Sequence, residues 1–183
     1  MQKYLITSEK FYTHDSDIFH KTLLQQLKKH KPQYVLFRDK TATNYEELAS
    51  IFITTCKEVA NVKSFIHQNI SLAKALGADG VHLTSNQFCE IEIAKRENLE
   101  VIISAHTHNE VLKAQELGAE AVTYSPIFAS PDKGEPKGID DLEELLSMCQ
   151  IKIFALGGIV TNEHIDMISK TKAYGFASIR YFA

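Results

Sequence analysis

Two stretches of the chain read almost alike: "ALGADGVHL", residues 75–83, and "ELGAEAVTY", residues 116–124. In each, a helix-like run ends at a glycine, Gly77 or Gly118. Glycine suits the position just past a helix because it enters the left-handed region without a steric penalty. A small residue and an acid follow, Asp79 or Glu120, and then an apolar strand-like run begins. The same helix-to-strand joint is thus written twice, and it is the joint of a βα repeat.

Working outward from that joint, the whole chain alternates. Strand-like runs occur at 4–7, 34–38, 64–68, 80–84, 100–105, 121–127, 151–158 and 174–180. They are apolar and β-branched with little alternation, as strands buried on both faces are. Seven amphipathic runs lie between them, with apolar residues at helical spacing, as in Leu23, Leu24 and Leu27. Strict βα order implies a parallel sheet. An open dinucleotide-binding sheet calls for a glycine-rich turn after its first strand, and "YLITSEKF" (4–11) has no glycine. Even strand spacing favours a closed α/β barrel, a (β/α)8 TIM barrel forming one domain over residues 1–183. The chain is short for that fold, whose members run nearer ~250 residues. It leaves no room for an eighth helix, so apolar surface is expected at the seam between the last and first strands, and with it a homodimer.

Composition excludes several classes. Charged residues make up 23% and the net charge is −3, so no basic footprint for nucleic acid is present. No apolar run approaches a membrane span. Cys56, Cys89 and Cys149 are scattered and form no CxxC pair, which fits reduced thiols of a cytoplasmic protein.

In such barrels chemistry sits at the C-terminal ends of the strands. Those ends carry Arg38 and Lys40, His67, Ser104, the connector "SPIFASPDKGEPKGI" (125–139) with Ser130 and Lys133, then Gly157 and Gly158, and finally Arg180. Four cations at one rim point to a small anionic substrate. Gly157 and Gly158 allow close backbone approach, and a helix starting near Thr161 favours an anion. His106 and His108 are two apart without a third ligand, weak grounds for a metal. His82, in mid-strand, reads as a satisfied barrel histidine, and Asp79 and Glu120 as joint residues at the opposite rim.

"FRDK" (37–40), "IHQNISLAKALGADGVHL" (66–83), "ISAHT" (103–107), "SPIFASPDK" (125–133) and "FALGGI" (154–159), in this order, resemble the successive motifs of the thiamine-phosphate synthase and TenI family. The resemblance covers nearly the whole chain. It implies a barrel that handles small phosphorylated thiazole and pyrimidine substrates. The synthase joins a pyrimidine methyl diphosphate to thiazole phosphate and releases pyrophosphate with Mg2+; the TenI branch includes a thiazole phosphate tautomerase. By position, the resemblance implies that Arg38, Lys40 and Lys133 meet the diphosphate. It places Ser104, Ser130, Gly158 and, as a gain of charge, Arg180 around substrate and thiazole phosphate. Leu36 stands where the family has a pyrimidine-binding glutamine, and His67 replaces an asparagine. Gln68 and Gln87 replace the two magnesium-binding aspartates, so the family's carboxylate ligands for Mg2+ are absent. Pro126 stands where the tautomerase has its catalytic histidine. A synthase-type enzyme is expected, with a tautomerase or a non-catalytic phosphate-ester binding protein as alternatives. Asp132 would add negative charge beside the anion.

Overall fold

The computed structural model describes residues 1–131 and 133–183; Asp132 lies outside them. Eight strands are present: β1 (Gln2–Ile6), β2 (Tyr34–Phe37), β3 (Lys63–His67), β4 (Gly80–Leu83), β5 (Glu100–Ala105), β6 (Ala121–Tyr124), β7 (Lys152–Leu156) and β8 (Gly175–Ser178). All neighbours pair parallel, and β1 pairs with β8 to close the barrel. Helices fill the crossovers: α1 (Ser16–His30), α2 (Tyr45–Lys57), α3 (Ile70–Leu76), α4 (Ile91–Arg96), α5 (His108–Glu116), α6 (Gly138–Met148) and α7 (Asn162–Ser169). The expected (β/α)8 architecture is the one found.

The repeated joint shows how the sequence sets the order. Gly77 and Gly118 both have positive φ, 67° and 86°, and turn the chain out of α3 and α5. The acid that follows is used the same way twice. Asp79 Oδ2 accepts the Ser64 amide at 2.8 Å, and Glu120 Oε2 accepts the Val101 amide at 2.7 Å. Each carboxylate therefore caps the start of the preceding strand. Both acids belong to the N-terminal rim, away from the site.

The barrel interior is filled by Tyr4, Ile6, Tyr34, Leu36, Phe65 and Phe154 with smaller neighbours. Outside, the strands pack on the apolar stripes of the helices, as Leu23 and Leu27 do in α1. Strands end earlier than the apolar runs suggest. Thr7, Arg38, Gln68, Thr84, Ser125 and Gly157 have left the sheet, and Gln68 does so with φ 63°. The reason is geometric: at the C-terminal rim the chain bends off the barrel wall to build loops. The amphipathic run between β4 and β5 splits into a 3-10 turn, Phe88–Glu90, and α4.

The seam between β8 and β1 is closed by a short turn rather than by a helix. A 3-10 turn, Arg180–Phe182, follows β8. Phe182 is buried, stacked on Phe176 at 5.7 Å and edge-on to His30 of α1 at 5.3 Å. Tyr181 packs on Phe176 and donates to Asn162 Oδ1 at 3.0 Å. Two aromatic rings thus pack where a helix packs elsewhere in the barrel. Among the described residues no helix is long and apolar enough to cross a membrane.

Candidate active site at the C-terminal rim

Side chains alternate along a strand, so every second residue of each strand enters the barrel. Counted inward, Tyr4, His82, Ser104 and Thr123 meet near the axis. Tyr4 Oη lies 2.8 Å from His82 Nδ1, and His82 Nε2 lies 3.0 Å from Ser104 Oγ. His82 is thus satisfied on both nitrogens. Burial, then His67 and Arg38, push its pKa down to about 3, so it is neutral. His67, at the end of β3, has its ring 6.2 Å from that of His82. Burial, then the charges of Arg38 and Lys40, lower its pKa to about 4. Arg38 and Lys40 thus lie near His67, and His67 and Ser104 each neighbour His82. Leu36 is buried in the barrel among aromatic rings, an apolar surface where the resemblance implies a polar side chain.

Arg38 is placed by its backbone, whose amide donates to Thr7 Oγ1 at 2.9 Å. At that end of the barrel Arg38, Lys40, Lys133 and Arg180 are held in no ion pair among the described residues. A cleft of about 610 Å³ opens over the end of β3, lined by His67, Gln68, Asn69, Asp39, Tyr45 and Glu90 among others. Asp39 is occupied by its own turn, accepting the Thr41 and Ala42 amides at 2.8 Å each, with His14 alongside.

The connector after β6 is a loop with a tied base. Ile127 and Phe128 donate amides to Leu156 and Gly157 carbonyls at 2.9 and 3.0 Å. Lys137 and Gly138 return amides to Pro126 and Ile127 at 2.9 and 3.0 Å. Ser130 and Lys133 sit on the exposed part, joined by Lys133 N–H to Ser130 O at 3.3 Å. No contact links them to Arg38 among the described residues. Gly157 and Gly158, with φ 98° and 70°, serve this loop before any ligand. A Cβ on Gly157 would stand 2.7 Å from Pro126 Cα, and one on Gly158 2.5 Å from Ala129 O. The space that glycine frees on the Cβ side is taken by loop backbone. Arg180 is exposed at the end of β8, on the turn that bonds to Ser178 Oγ through Tyr181 N.

The two adjacent histidines part company. His106 Nδ1 lies 3.2 Å from Ser125 O, while His108 Nε2 lies 3.1 Å from Asp141 Oδ1. Of the two magnesium positions, Gln87 has its side chain engaged. Gln87 Oε1 accepts Thr84 N–H at 3.0 Å; Gln87 Nε2 donates to Gln68 O at 3.2 Å and to Glu90 Oε2 at 3.1 Å. Two of its partners are acceptors, which an amide can satisfy and a carboxylate cannot. Gln87 ties the β4 loop to the end of β3, and among the described residues no three of His, Cys, Asp and Glu cluster to hold a metal. These residues do not fit an Mg2+ ion held by protein carboxylates. Gln87→Glu is expected to cost about 1–2 kcal/mol in urea unfolding, because the donors are lost and a second carboxylate faces Glu90.

Of this site, sequence reasoning missed Tyr4 and Thr123; it read His82 as a satisfied barrel histidine, and the partners on both ring nitrogens agree. Counting by twos from each strand end would have placed all three on the barrel axis.

The family model described as thiamine monophosphate synthase matches residues 3–182. A thiamine-phosphate synthase of Dictyoglomus turgidum is 32% identical over 143 residues, 75% of this chain and 59% of that protein, so under two thirds of that relative's length is spanned. One of Caldicellulosiruptor saccharolyticus is 27% identical over 173 residues, 90% of this chain and 76% of that protein. Among solved structures, a thiamine phosphate pyrophosphorylase from Pyrococcus furiosus superposes with a TM-score of 0.79 at 24% identity, covering 97% of this chain and 85% of that one, a likeness of fold. With its closed eight-stranded barrel and a family match from end to end, this chain belongs to the thiamine monophosphate synthase (TMP-TENI) family.

Proposed function

We propose that the chain is a transferase of thiamine-phosphate-synthase type. It joins the methylene carbon of a pyrimidine methyl diphosphate to the ring nitrogen of thiazole phosphate. The C–N bond forms as the C–O bond to the diphosphate breaks, and pyrophosphate leaves with the electron pair. The observation that carries this reading is that Arg38 and Lys40, in no ion pair among the described residues, lie close enough to His67 at the barrel mouth for their charges to lower its pKa. Negative charge develops on the leaving oxygen, and fixed cations in a partly dry site stabilise it far better than water does. Arg38 offers a planar fork matched to phosphate oxygens, Lys40 a compact charge. Lys133 and Ser130, on the loop after β6, and Arg180, after β8, are assigned to the remaining phosphate oxygens. The amides of Gly157 and Gly158 are assigned to the same group, although their Cα faces pack on the loop.

Purified protein given both substrates with magnesium is expected to form thiamine phosphate and pyrophosphate. No product beside an active control enzyme overturns the assignment. Arg38→Ala is expected to lower kcat/KM about 10–100-fold, within the range for removing one donor to a developing oxyanion.

A second reading, an isomerase of thiazole phosphates, is favoured by one observation: His67 is neutral and half-buried at the barrel mouth, so its imidazole can accept a proton, and a bound phosphate ester would raise its basicity by offsetting Arg38 and Lys40. Proton exchange of the carboxylated thiazole phosphate, followed by NMR, tests it. An unchanged exchange rate in His67→Ala removes that residue from the mechanism.

A further inference from the structure

The hydrogen-bond column inside the barrel has a direction, and its buried end sets it. Tyr4 is fully buried, and its hydroxyl has a single partner among the described residues, His82 Nδ1 at 2.8 Å. The phenol keeps its proton, since burial raises its pKa well above the ordinary value. That proton needs an acceptor. Were Nδ1–H the donor instead, the Tyr4 proton would have no other acceptor among the described residues, its ring being packed against those of Tyr34, Phe65 and Phe154. Tyr4 therefore donates to Nδ1. A neutral imidazole has one N–H, and it falls to Nε2, which donates to Ser104 Oγ at 3.0 Å. Thr123 Oγ1 points at the same oxygen from 3.5 Å. Ser104 Oγ thus accepts from His82, and its own proton has only the long 3.5 Å contact to Thr123 Oγ1 among the described residues, so it is left for a ligand. Tyr4, His82 and Thr123 are buried, whereas Ser104 is partly exposed, at the mouth side of the column.

We propose that Tyr4 and His82 are positioning residues that make Ser104 an obligate hydrogen-bond donor, so that the barrel axis selects a ligand presenting an uncharged acceptor there, such as a heteroaromatic ring nitrogen, and disfavours one presenting N–H. The choice of ring nitrogen rests on the synthase reading above; the direction of the column does not. A site built to satisfy one hydrogen-bond pattern discriminates because the wrong pattern leaves its buried polar groups unpaired.

The test has two arms. In the protein without ligand, proton–nitrogen NMR of the His82 ring is expected to show the Nε2–H tautomer with Nδ1 as acceptor. A dominant Nδ1–H tautomer overturns the proposal whatever the protein binds. In the second arm, the dissociation constant of the pyrimidine methyl diphosphate is measured by titration calorimetry. Tyr4→Phe keeps the ring and removes the donor; it is expected to mix the two tautomers and weaken binding about 3–10-fold. Ser104→Ala is expected to weaken it about 10-fold, and Tyr4→Phe should add nothing on that background, because the two act through one hydrogen bond. A Tyr4→Phe protein with the original tautomer and affinity overturns the relay. Failure of the unaltered protein to bind the diphosphate overturns the choice of ligand alone, and the tautomer arm then decides the relay.

Discussion

Between pH 6.5 and pH 4 the free energy of unfolding is expected to fall steeply, by several kcal/mol. Burial, and behind it the charges of neighbouring groups, hold the pKa of His67 near 4 and that of His82 near 3 in the folded chain. In the unfolded chain both return to about 6.5. Within that window the unfolded state binds protons and the folded state does not, so acid favours unfolding. Above pH 6.5 the stability is fully present; it is lost progressively as pH falls, until each histidine reaches its folded pKa. Each group contributes a slope of about 1.4 kcal/mol per pH unit, and two together approach 3. Against a typical total of 5–15 kcal/mol this is a large fraction. Asp39, whose pKa is depressed because hydrogen bonds from Thr41, Ala42 and His14 outweigh its burial, acts at lower pH and does not account for this window. Urea unfolding at pH 7.5, 6 and 5 measures the slope. A flat profile, or an unchanged slope in a His67→Asn/His82→Asn double variant, would contradict the account. A bound phosphate ester beside Arg38 and Lys40 should offset their charge and move the His67 titration upward in NMR.

Gly158→Ala is the second large effect. At φ 70° a Cβ would stand 2.5 Å from Ala129 O and 2.6 Å from the Phe128 carbonyl carbon and oxygen. These are backbone atoms and cannot swing aside. Overpacking of this kind costs about 1–3 kcal/mol. The left-handed conformation adds about 1–2 kcal/mol for an alanine. The sum, about 3 kcal/mol, corresponds to a fall in Tm of roughly 6–12 °C in a chain of this size. The loop pushed aside carries Ser130 and Lys133, so affinity for a phosphate ester should drop in the same variant. Gly134 lies in the same loop, and nothing stands within 4 Å of a Cβ built on it. Gly134→Ala should therefore leave both Tm and affinity unchanged. A Gly158→Ala protein that melts with the unaltered chain would show that the loop yields freely.

The elements legible in the sequence were those with local causes. Thr107 caps α5 with Glu110 in a reciprocal capping box, and Thr161 and Asn69 cap α7 and α3 through their side chains. Such signals lie within three residues of the bond they make. The glycine-acid joints are as local, although the partner of each acid, Ser64 or Val101, lies a strand away. Arg38 and His67 were found because the barrel places strand ends at one rim whatever the details of packing. The role of Gln87 was hidden. As a letter it is a lost magnesium ligand; in the fold it is an amide with two acceptors to satisfy.

By itself, then, the sequence determined the repeat, the parallel barrel and the rim on which the cations gather, because helical and strand periodicity and strand-end position are properties of neighbouring residues. The tertiary structure alone decided the rest. It put Phe182 over the open seam, filled the Gly158 face with loop backbone, and set Tyr4 against His82, 78 residues apart, so that a proton on one strand orients a serine on another. Those outcomes depend on which side chains meet across the closed sheet, and closure is a property of the whole chain.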